Sequence, residues 1–370
     1  MKKILVTGGA GFIGGHVADE LLRHGYEVRI LDALDPQVHE NGAIPDYLSD
    51  DVEFVGADIR DSAAVERAVR GVDGVVHLAA AVGVGQSMYQ IHKYVDVNAS
   101  GTAVLLEAIN AHPVERLVVA SSMSVYGEGA YSNGTGRLHH PSRRPRDQLA
   151  RHEWEPTASR GVTMAAVPTP EDILPEPASP YALTKYDQEL LCLMFGAAYS
   201  VPTLALRLFN VYGPRQALSN PYTGVMAIFA CRLLNGSAPI VYEDGQQLRD
   251  FVNVRDVARA FRLALERPEI SDCAINIGSG RAVTIEQVAR TLADILERPD
   301  LEPQFEGKYR FGDVRHCFAD ISRAVIRLEY KPEVSFEAGV AELAEWLSRQ
   351  QAVDRAPQAA AELASRGLTL

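Results

Sequence analysis

Cysteine is scarce in this chain, and so is positive charge. Four cysteines among 370 residues, Cys192, Cys231, Cys273 and Cys317, are scattered without the paired spacing of a metal site. Three of them lie in or beside apolar stretches and read as small buried hydrophobes, not disulfide partners. Lysines and arginines number 36 against 48 aspartates and glutamates, a net charge of −12. That balance argues against nucleic acid or an anionic membrane surface as the main partner. Any anionic ligand must then be held by a few local cations. No apolar run approaches the ~20 residues of a membrane span. The opening Met1-Lys2-Lys3-Ile4-Leu5-Val6 starts like a signal peptide, but its apolar run breaks at Thr7-Gly8. A cytoplasmic protein is the simplest reading. No internal repeat is visible. With 47% apolar residues, the chain can bury the core of one large α/β domain with an elaboration, or of two domains.

Glycine is placed with purpose. Val6-Thr7-Gly8-Gly9-Ala10-Gly11-Phe12-Ile13-Gly14 follows an apolar run and opens a helical pattern carried by Phe12, Ile13, Val17, Leu21 and Leu22, which stops at Gly25. Strand, glycine turn and helix in this order make a phosphate cradle, in which backbone N–H groups and the helix dipole meet a pyrophosphate. Gly8, Gly11, Phe12 and Ile13 are its expected contact positions. A second strand, Tyr26 to Leu31, ends at Asp32, about 20 residues on, where a carboxylate can hold a ribose 2′-OH. The same carboxylate would repel a 2′-phosphate, which argues for NAD over NADP.

The first half alternates strand-like and helix-like segments, the pattern of a parallel sheet wound on both faces. Strands are expected at Val52 to Val55, Gly74 to Leu78 and Leu117 to Ala120, with a helix capped by Asp61 and a long helical region holding Asn98, Leu105 and Ile109. Residues 128–178 break the rhythm and read as a long solvated loop. His139, His140 and His152 lie in that stretch without ligand spacing, so no metal site is expected. A helix from Pro180 to Tyr199 and a strand from Thr203 to Leu208 follow. Helices are then expected at Val225 to Leu234, Val254 to Glu266, Thr284 to Leu296 and Phe336 to Leu347. From Gln350 onward the alanine-rich sequence reads as a frayed helix that contributes little.

Tyr181 and Lys185 lie four residues apart, on one helical face. A free phenol titrates near ~10 and is a poor base at neutral pH, but an ammonium and a nicotinamide ring beside it would favour the phenolate. Ser122 stands just past the end of a predicted strand, on the sheet edge where a dinucleotide lies. Its hydroxyl can bond a sugar oxygen whose proton leaves for Tyr181.

With these residues in place, the sequence resembles the extended short-chain dehydrogenase/reductases, and among them the NAD-dependent nucleotide-sugar epimerase/dehydratase family. The likeness runs over about residues 1 to 347. It rests on the glycine turn, Asp32, Asp58-Ile59, His77-Leu78-Ala79-Ala80, Asn98, Ser121-Ser122-Met123-Ser124-Val125-Tyr126-Gly127 and Tyr181 with Lys185. It continues through Arg207-Leu208-Phe209-Asn210-Val211-Tyr212-Gly213-Pro214-Arg215, Arg249-Asp250-Phe251-Val252 and Gly312-Asp313. Within the family the sequence looks closest to dTDP-L-rhamnose 4-epimerase-like and UDP-glucose 4-epimerase-like members. The resemblance implies an α/β fold: a Rossmann doubly wound parallel sheet binding NAD over residues 1–206, and a smaller C-terminal α/β substrate domain over 207–349. Some later segments would return to the first domain, and 350–370 would form a tail. It further implies that Asp58 and Ile59 border the adenine, and that Leu78, Ala79, Ala80, Asn98, Ser121, Tyr181 and Lys185 line the cofactor. Ser124, Asn210, Arg249, Arg310 and Asp313 would face a nucleoside diphosphate sugar, with the two arginines clamping the diphosphate. A homodimer through helices near 87–111 and 180–199 is also implied.

The residues after Ser122 separate the reactions of such a family. Its 4,6-dehydratases carry an Asp-Glu pair there and its decarboxylases a glutamate at the second position. Here the residues are Met123 and Ser124, neither of which supplies or takes a proton at neutral pH. What remains is oxidation followed by re-reduction, a 4-epimerisation through a 4-keto sugar. Epimerisation at another carbon, a 4-ketoreductase and a non-catalytic NAD sensor are the alternatives. The 128–178 stretch lacks the cysteines common in the dTDP-L-rhamnose 4-epimerase-like branch, so no zinc-ribbon-like element is expected. The sugar, on UDP, GDP or dTDP, stays open.

Overall fold

Ile4, Leu5 and Val6 alternate across strand β1 (Lys3–Thr7), Ile4 and Val6 packing into one apolar layer and Leu5 into the other. A strand buried on both faces belongs inside a parallel sheet covered by helices on each side. The structure, a computed structural model, describes residues 2–39, 42–133, 137–157, 164–218, 220, 222, 224–350 and 353–369. Among these, seven strands form the main sheet: β1, β2 (Glu27–Asp32), β3 (Glu53–Gly56), β4 (Gly74–His77), β5 (Arg116–Ser122), β6 (Thr203–Leu208) and β7 (Cys273–Ile277). Their order is β7-β6-β5-β4-β1-β2-β3, and every neighbouring pair is parallel.

The chain winds outward in one direction from β1 to β3 and in the other from β4 to β7. The reversal lies between β1 and β4, and it opens a crevice at their carboxyl ends. One face is covered by α1 (Phe12–Arg23) and α5 (Val254–Glu266), the other by α2 (Ser62–Val69), α3 (Gly101–Ala111) and α4 (Pro180–Tyr199). On α5, Val254, Val257, Ala258, Phe261 and Leu265 recur at helical spacing and are buried. Burying each of the larger ones stabilises the fold by about 1.5–3 kcal/mol. Strand β6 runs through the expected division at 206/207, and α5 with β7 returns to the main sheet.

The smaller unit is built on a three-stranded sheet of Asn210–Tyr212, Leu248–Asn253 and Ala282–Thr284. Helices Val225–Leu234, Ile285–Ile295 and Phe336–Leu347 cover it through Met226, Phe229, Val288, Leu292, Phe336 and Val340. Thr284 and Gln287 close a reciprocal capping box at the start of the second of these helices.

Three expectations need correction. The long helical region around Asn98 is broken into Val84–Ser87, Ile91–Tyr94 and a wide turn at Val95–Ser100 before α3 begins at Gly101. A side chain at Gly101 would come within 2.6 Å of Ile59, so the two segments meet only because that residue is glycine. The described part of 128–178 is not a solvated loop. Tyr131–Ser132 pairs antiparallel with Leu138–His139 and with Ala165–Ala166, and Glu128, Tyr131, Arg144 and Gln148 are buried; residues 134–136 and 158–163 lie outside the described residues. The segment after Gln350 is not frayed either. Helix Ala356–Ser365 buries Ala359 and Leu363 against the body of the protein.

Cys192, Cys231 and Cys317 are buried and all four cysteines are free. No helix among the described residues is long and apolar enough to cross a membrane. No group of three or more metal-ligating side chains is found among them; His140 donates from Nε2 to the carbonyls of Tyr126 and Glu128.

Candidate active site

The site begins where β1 meets the turn. Gly8 has a φ of +69°, and a Cβ there would lie 2.9 Å from the Ala79 nitrogen, while a Cβ on Gly14 would lie 2.2 Å from the Gly8 carbonyl oxygen. The first glycine lets β1 and β4 approach at the crevice and the last lets α1 pack onto the turn. Gly11 differs, because its Cβ would meet only the Gly8 oxygen, at 3.4 Å. It precedes α1, whose first turn has no side-chain cap, so the N-terminal N–H groups at Phe12 and Ile13 are left for an anion. The Asp32 carboxylate accepts from the Ala10 N–H (3.0 Å) and the Leu34 N–H (2.9 Å), which fixes it beside the turn with acceptor capacity to spare.

Asp58 is held by Arg60, which also reaches Asp96; the Arg60 guanidinium keeps the Asp58 carboxyl below its usual range. Ile59 is buried against Gly101. Leu78, Ala79 and Ala80 are half-buried at the crevice. Two expected cofactor contacts are placed otherwise. The Asn98 side chain is fully buried, accepting from Ala81 N–H (2.7 Å) and donating to the Ala81 carbonyl and the Thr184 hydroxyl. It ties the turn after β4 to α4 and has no free face. Ser121 donates to Glu189 (2.5 Å), itself paired with Arg207, so its hydroxyl is turned into the fold.

Ser179 caps α4 and Pro180 fills its first turn, which sets Tyr181 at the mouth and Lys185 one turn deeper. Tyr181 is half-buried, its ring edge-on to Tyr94 with centroids 6.3 Å apart. Burial pushes its phenol above the ordinary value, and the Ser122 hydroxyl works against that shift. Ser122 in turn accepts from the Ser124 hydroxyl (2.9 Å) and N–H (3.2 Å), so Ser124 supports Ser122. Lys185 is buried, 4% exposed, and donates to Gln188 (2.7 Å). Burial pushes its ammonium down to about 8. Gln188 continues the chain to His77 (3.1 Å), Thr102 (2.9 Å) and the Ala79 carbonyl (3.3 Å), and His77 meets Thr7 (2.7 Å). Sequence reasoning missed Gln188, although its position three residues after Lys185 is a helical-neighbour spacing.

Two of the expected diphosphate residues, Arg249 and Arg310, are tied to one segment, 310–315. Arg249 donates to the carbonyls of Leu248, Val314 and Arg315, which uses three of its five N–H donors. Arg310 is not a free cation: it forms a two-pronged pair with Asp313 (3.0 Å) and lies over the Tyr242 ring. Asn210 contributes a buried side-chain oxygen without a partner.

Comparison with known proteins bears on this arrangement. The profile of the NAD dependent epimerase/dehydratase family matches residues 4–148 and 161–278. This chain belongs to that family. It is 39% identical over 354 residues to a dTDP-L-rhamnose 4-epimerase of Burkholderia thailandensis, covering 94% of this chain and 96% of the relative. Among solved structures, UDP-glucose 4-epimerase of Thermotoga maritima with UDP-glucose superposes with a TM-score of 0.75 at 32% identity, over 94% of this chain and 99% of that one. A UDP-glucuronic acid 4-epimerase variant from Bacillus cereus, in complex with UDP-4-deoxy-4-fluoro-glucuronic acid and NAD, gives 0.76 at 28% identity, over 94% and 99%. NAD is the family's coenzyme, and the residues present fit it. The uncapped α1 terminus, the open side of Gly11 and the fixed Asp32 carboxylate are the parts a dinucleotide needs.

Proposed function

We propose that this chain is a nucleotide-sugar 4-epimerase working with NAD, and that Ser122, Tyr181 and Lys185 carry the reaction. The arrangement that supports it most is Ser122 at the carboxyl end of β5 beside Tyr181 on α4, where the hydroxyl works against the burial-driven rise of the phenol, next to positions 123 and 124. Met123 is buried there and Ser124 is bonded to Ser122, so neither an acid nor a base for elimination or decarboxylation stands at those places.

Gly8, Gly11, Phe12 and Ile13 hold the pyrophosphate and Asp32 the adenine ribose. When bound, NAD accepts the hydride from C4 of the sugar and returns it. Tyr181 takes the O4 proton as the C4–H bond breaks, and gives it back when that bond reforms. Ser122 donates to the same oxygen and steadies it while it is a carbonyl. Lys185, whose ammonium donates to Gln188, supplies the positive charge one helical turn from Tyr181 that would favour the phenolate. Arg249 and Arg310 hold the diphosphate, so the flat 4-keto sugar can swing and receive the hydride on its other face.

Gln188 belongs to this apparatus as a positioning residue. Replacing Tyr181 by Phe tests the assignment: turnover should fall by about 10³-fold or more while bound NAD survives purification. Retained turnover in that variant contradicts it.

We also assign a homodimer across α4 and the Ile91–Tyr94 region. Leu183, Leu190 and Met194 on α4, with Ile91 and Val95 beside them, are exposed apolar side chains, a stripe that a second copy would cover. Four free cysteines support a reducing, cytoplasmic setting.

A further inference from the structure

The segment after Gln350 carries chemistry that the mechanism above leaves unused. On helix Ala356–Ser365, Glu362 accepts from the Tyr89 hydroxyl (3.0 Å) and the Tyr222 hydroxyl (3.1 Å), and these two phenols bond each other. Arg366 lies over the Tyr89 ring, 4.3 Å from its centroid, and also bonds Glu362. Leu363 is buried above Gly85, where an added Cβ would come 3.4 Å from it. Past the helix, Phe311 N–H donates to the Leu368 carbonyl (2.9 Å) and Arg310 pairs with Thr369 in an antiparallel bridge. The Thr369 hydroxyl oxygen is buried and has no partner.

Two of these anchors, Tyr222 and Arg310, lead toward the site. A Cβ on Gly83 would meet Tyr94 and Tyr222 at about van der Waals distance or closer, and Tyr94 packs on Tyr181. Gly312 lies against Val84 and against Ser179, the cap of α4. The strap therefore joins the Val84–Ser87 turn to the Arg310-bearing segment that packs against it.

We infer that residues 356–369 are a wall of the nucleotide-sugar site, holding the Arg310–Asp313 turn in place for a nucleoside diphosphate. The inference rests on the reading of Arg310 as a diphosphate clamp. An arginine paired with Asp313 keeps further N–H donors for an added anion, and a backbone held in place lowers the ordering cost of binding it. The antiparallel bridge at Thr369 supplies that constraint, and Glu362 with Arg366 locks the helix that precedes it.

The test uses the holoenzyme with UDP, dTDP and GDP as probes. Hydrogen exchange in 356–369 of the full chain should slow by about tenfold when the preferred nucleoside diphosphate is saturating. Calorimetry on a chain ending at Gln350, and on Glu362→Ala with Arg366→Ala, should give a Kd at least about tenfold weaker, with NAD content unchanged. Exchange in the strap that ignores the nucleotide, or a Kd within about twofold of the full chain in the folded variants, overturns the wall and leaves the diphosphate reading standing. Failure of the full chain to bind any of the three overturns both.

Discussion

Ser122 accepts from Ser124 and its hydroxyl works against the burial-driven rise of the Tyr181 phenol; in the mechanism proposed above its loss removes a donor to the reacting oxygen and not a structural cap alone. Ser122→Ala should lower kcat by about 10²–10³-fold with little change in KM, as steady-state kinetics would report. The four-residue spacing placed Lys185 on the helical face of Tyr181, but the network behind its anchor Gln188 was not legible, because His77, Thr102 and Thr7 come from three other segments. Two histidines set the response to acid. Burial pushes His77 down to about 3 and, with Arg215 nearby, His16 down to about 4. Both stay neutral in the fold while the unfolded chain protonates them near 6.5, so the unfolded state binds the extra protons and stability falls as pH drops below that value. The window runs from about 6.5 down to about 4 for His16 and about 3 for His77. Each adds at most about 1.4 kcal/mol per pH unit to the slope. Urea melts at pH 7 and pH 5 should show that loss, and His16→Gln should flatten it; an unchanged slope in the variant contradicts the assignment.

At the scale of elements, the glycine turn separates two roles that a sequence pattern runs together. Gly14→Ala drives a Cβ into the Gly8 backbone and should destabilise the protein by about 1–3 kcal/mol. Gly11→Ala meets almost nothing in the fold, so it should leave the melting temperature nearly in place and weaken NAD retention. The two read separately in a thermal melt and a cofactor assay. Helix α4 was readable end to end, because Ser179, Pro180 and an unbroken helical pattern mark it. The 128–178 region was not, since its strands are two residues long and carry no period. The strap was missed for a related reason. Its helix is alanine-rich and its anchors, Glu362, Leu363 and Arg366, find partners at Tyr89, Gly85 and Tyr222, far back in the chain. On α4 itself, the homodimer proposed above predicts that Leu190→Glu with Met194→Glu gives a monomer by light scattering where the unchanged chain gives a dimer; a dimer in both, or a monomer in both, contradicts that interface.

For the molecule as a whole, the main sheet and its crevice follow from buried alternation and turn chemistry, whereas the joint between the insertion and the smaller unit follows from charge. Arg315 is 1% exposed and bonds Glu155, Glu243 and Asp244, while Arg144 bonds Glu243 and approaches Glu128. His316 and Arg315 outweigh burial and hold the Glu155 carboxyl down at about 2. No local pattern announces such a cluster, because its members are drawn from three distant stretches of chain, 128–155, 243–244 and 315–316. Arg315→Leu leaves the carboxylates facing one another and should destabilise the protein by about 3–5 kcal/mol at neutral pH. The deficit should shrink toward pH 4 as the stranded carboxylates take up protons, which denaturant melts at the two pH values would show.

The account stands on one event at a single carbon, and isotopic labelling reaches it directly. Nucleotide sugars carrying deuterium at C4 are incubated with the holoenzyme and followed by NMR. The predicted result is inversion at C4 with the deuterium kept on that carbon and no hydrogen gained from water. Inversion with exchange of the label into solvent, or no inversion on any UDP-, dTDP- or GDP-sugar, would contradict it.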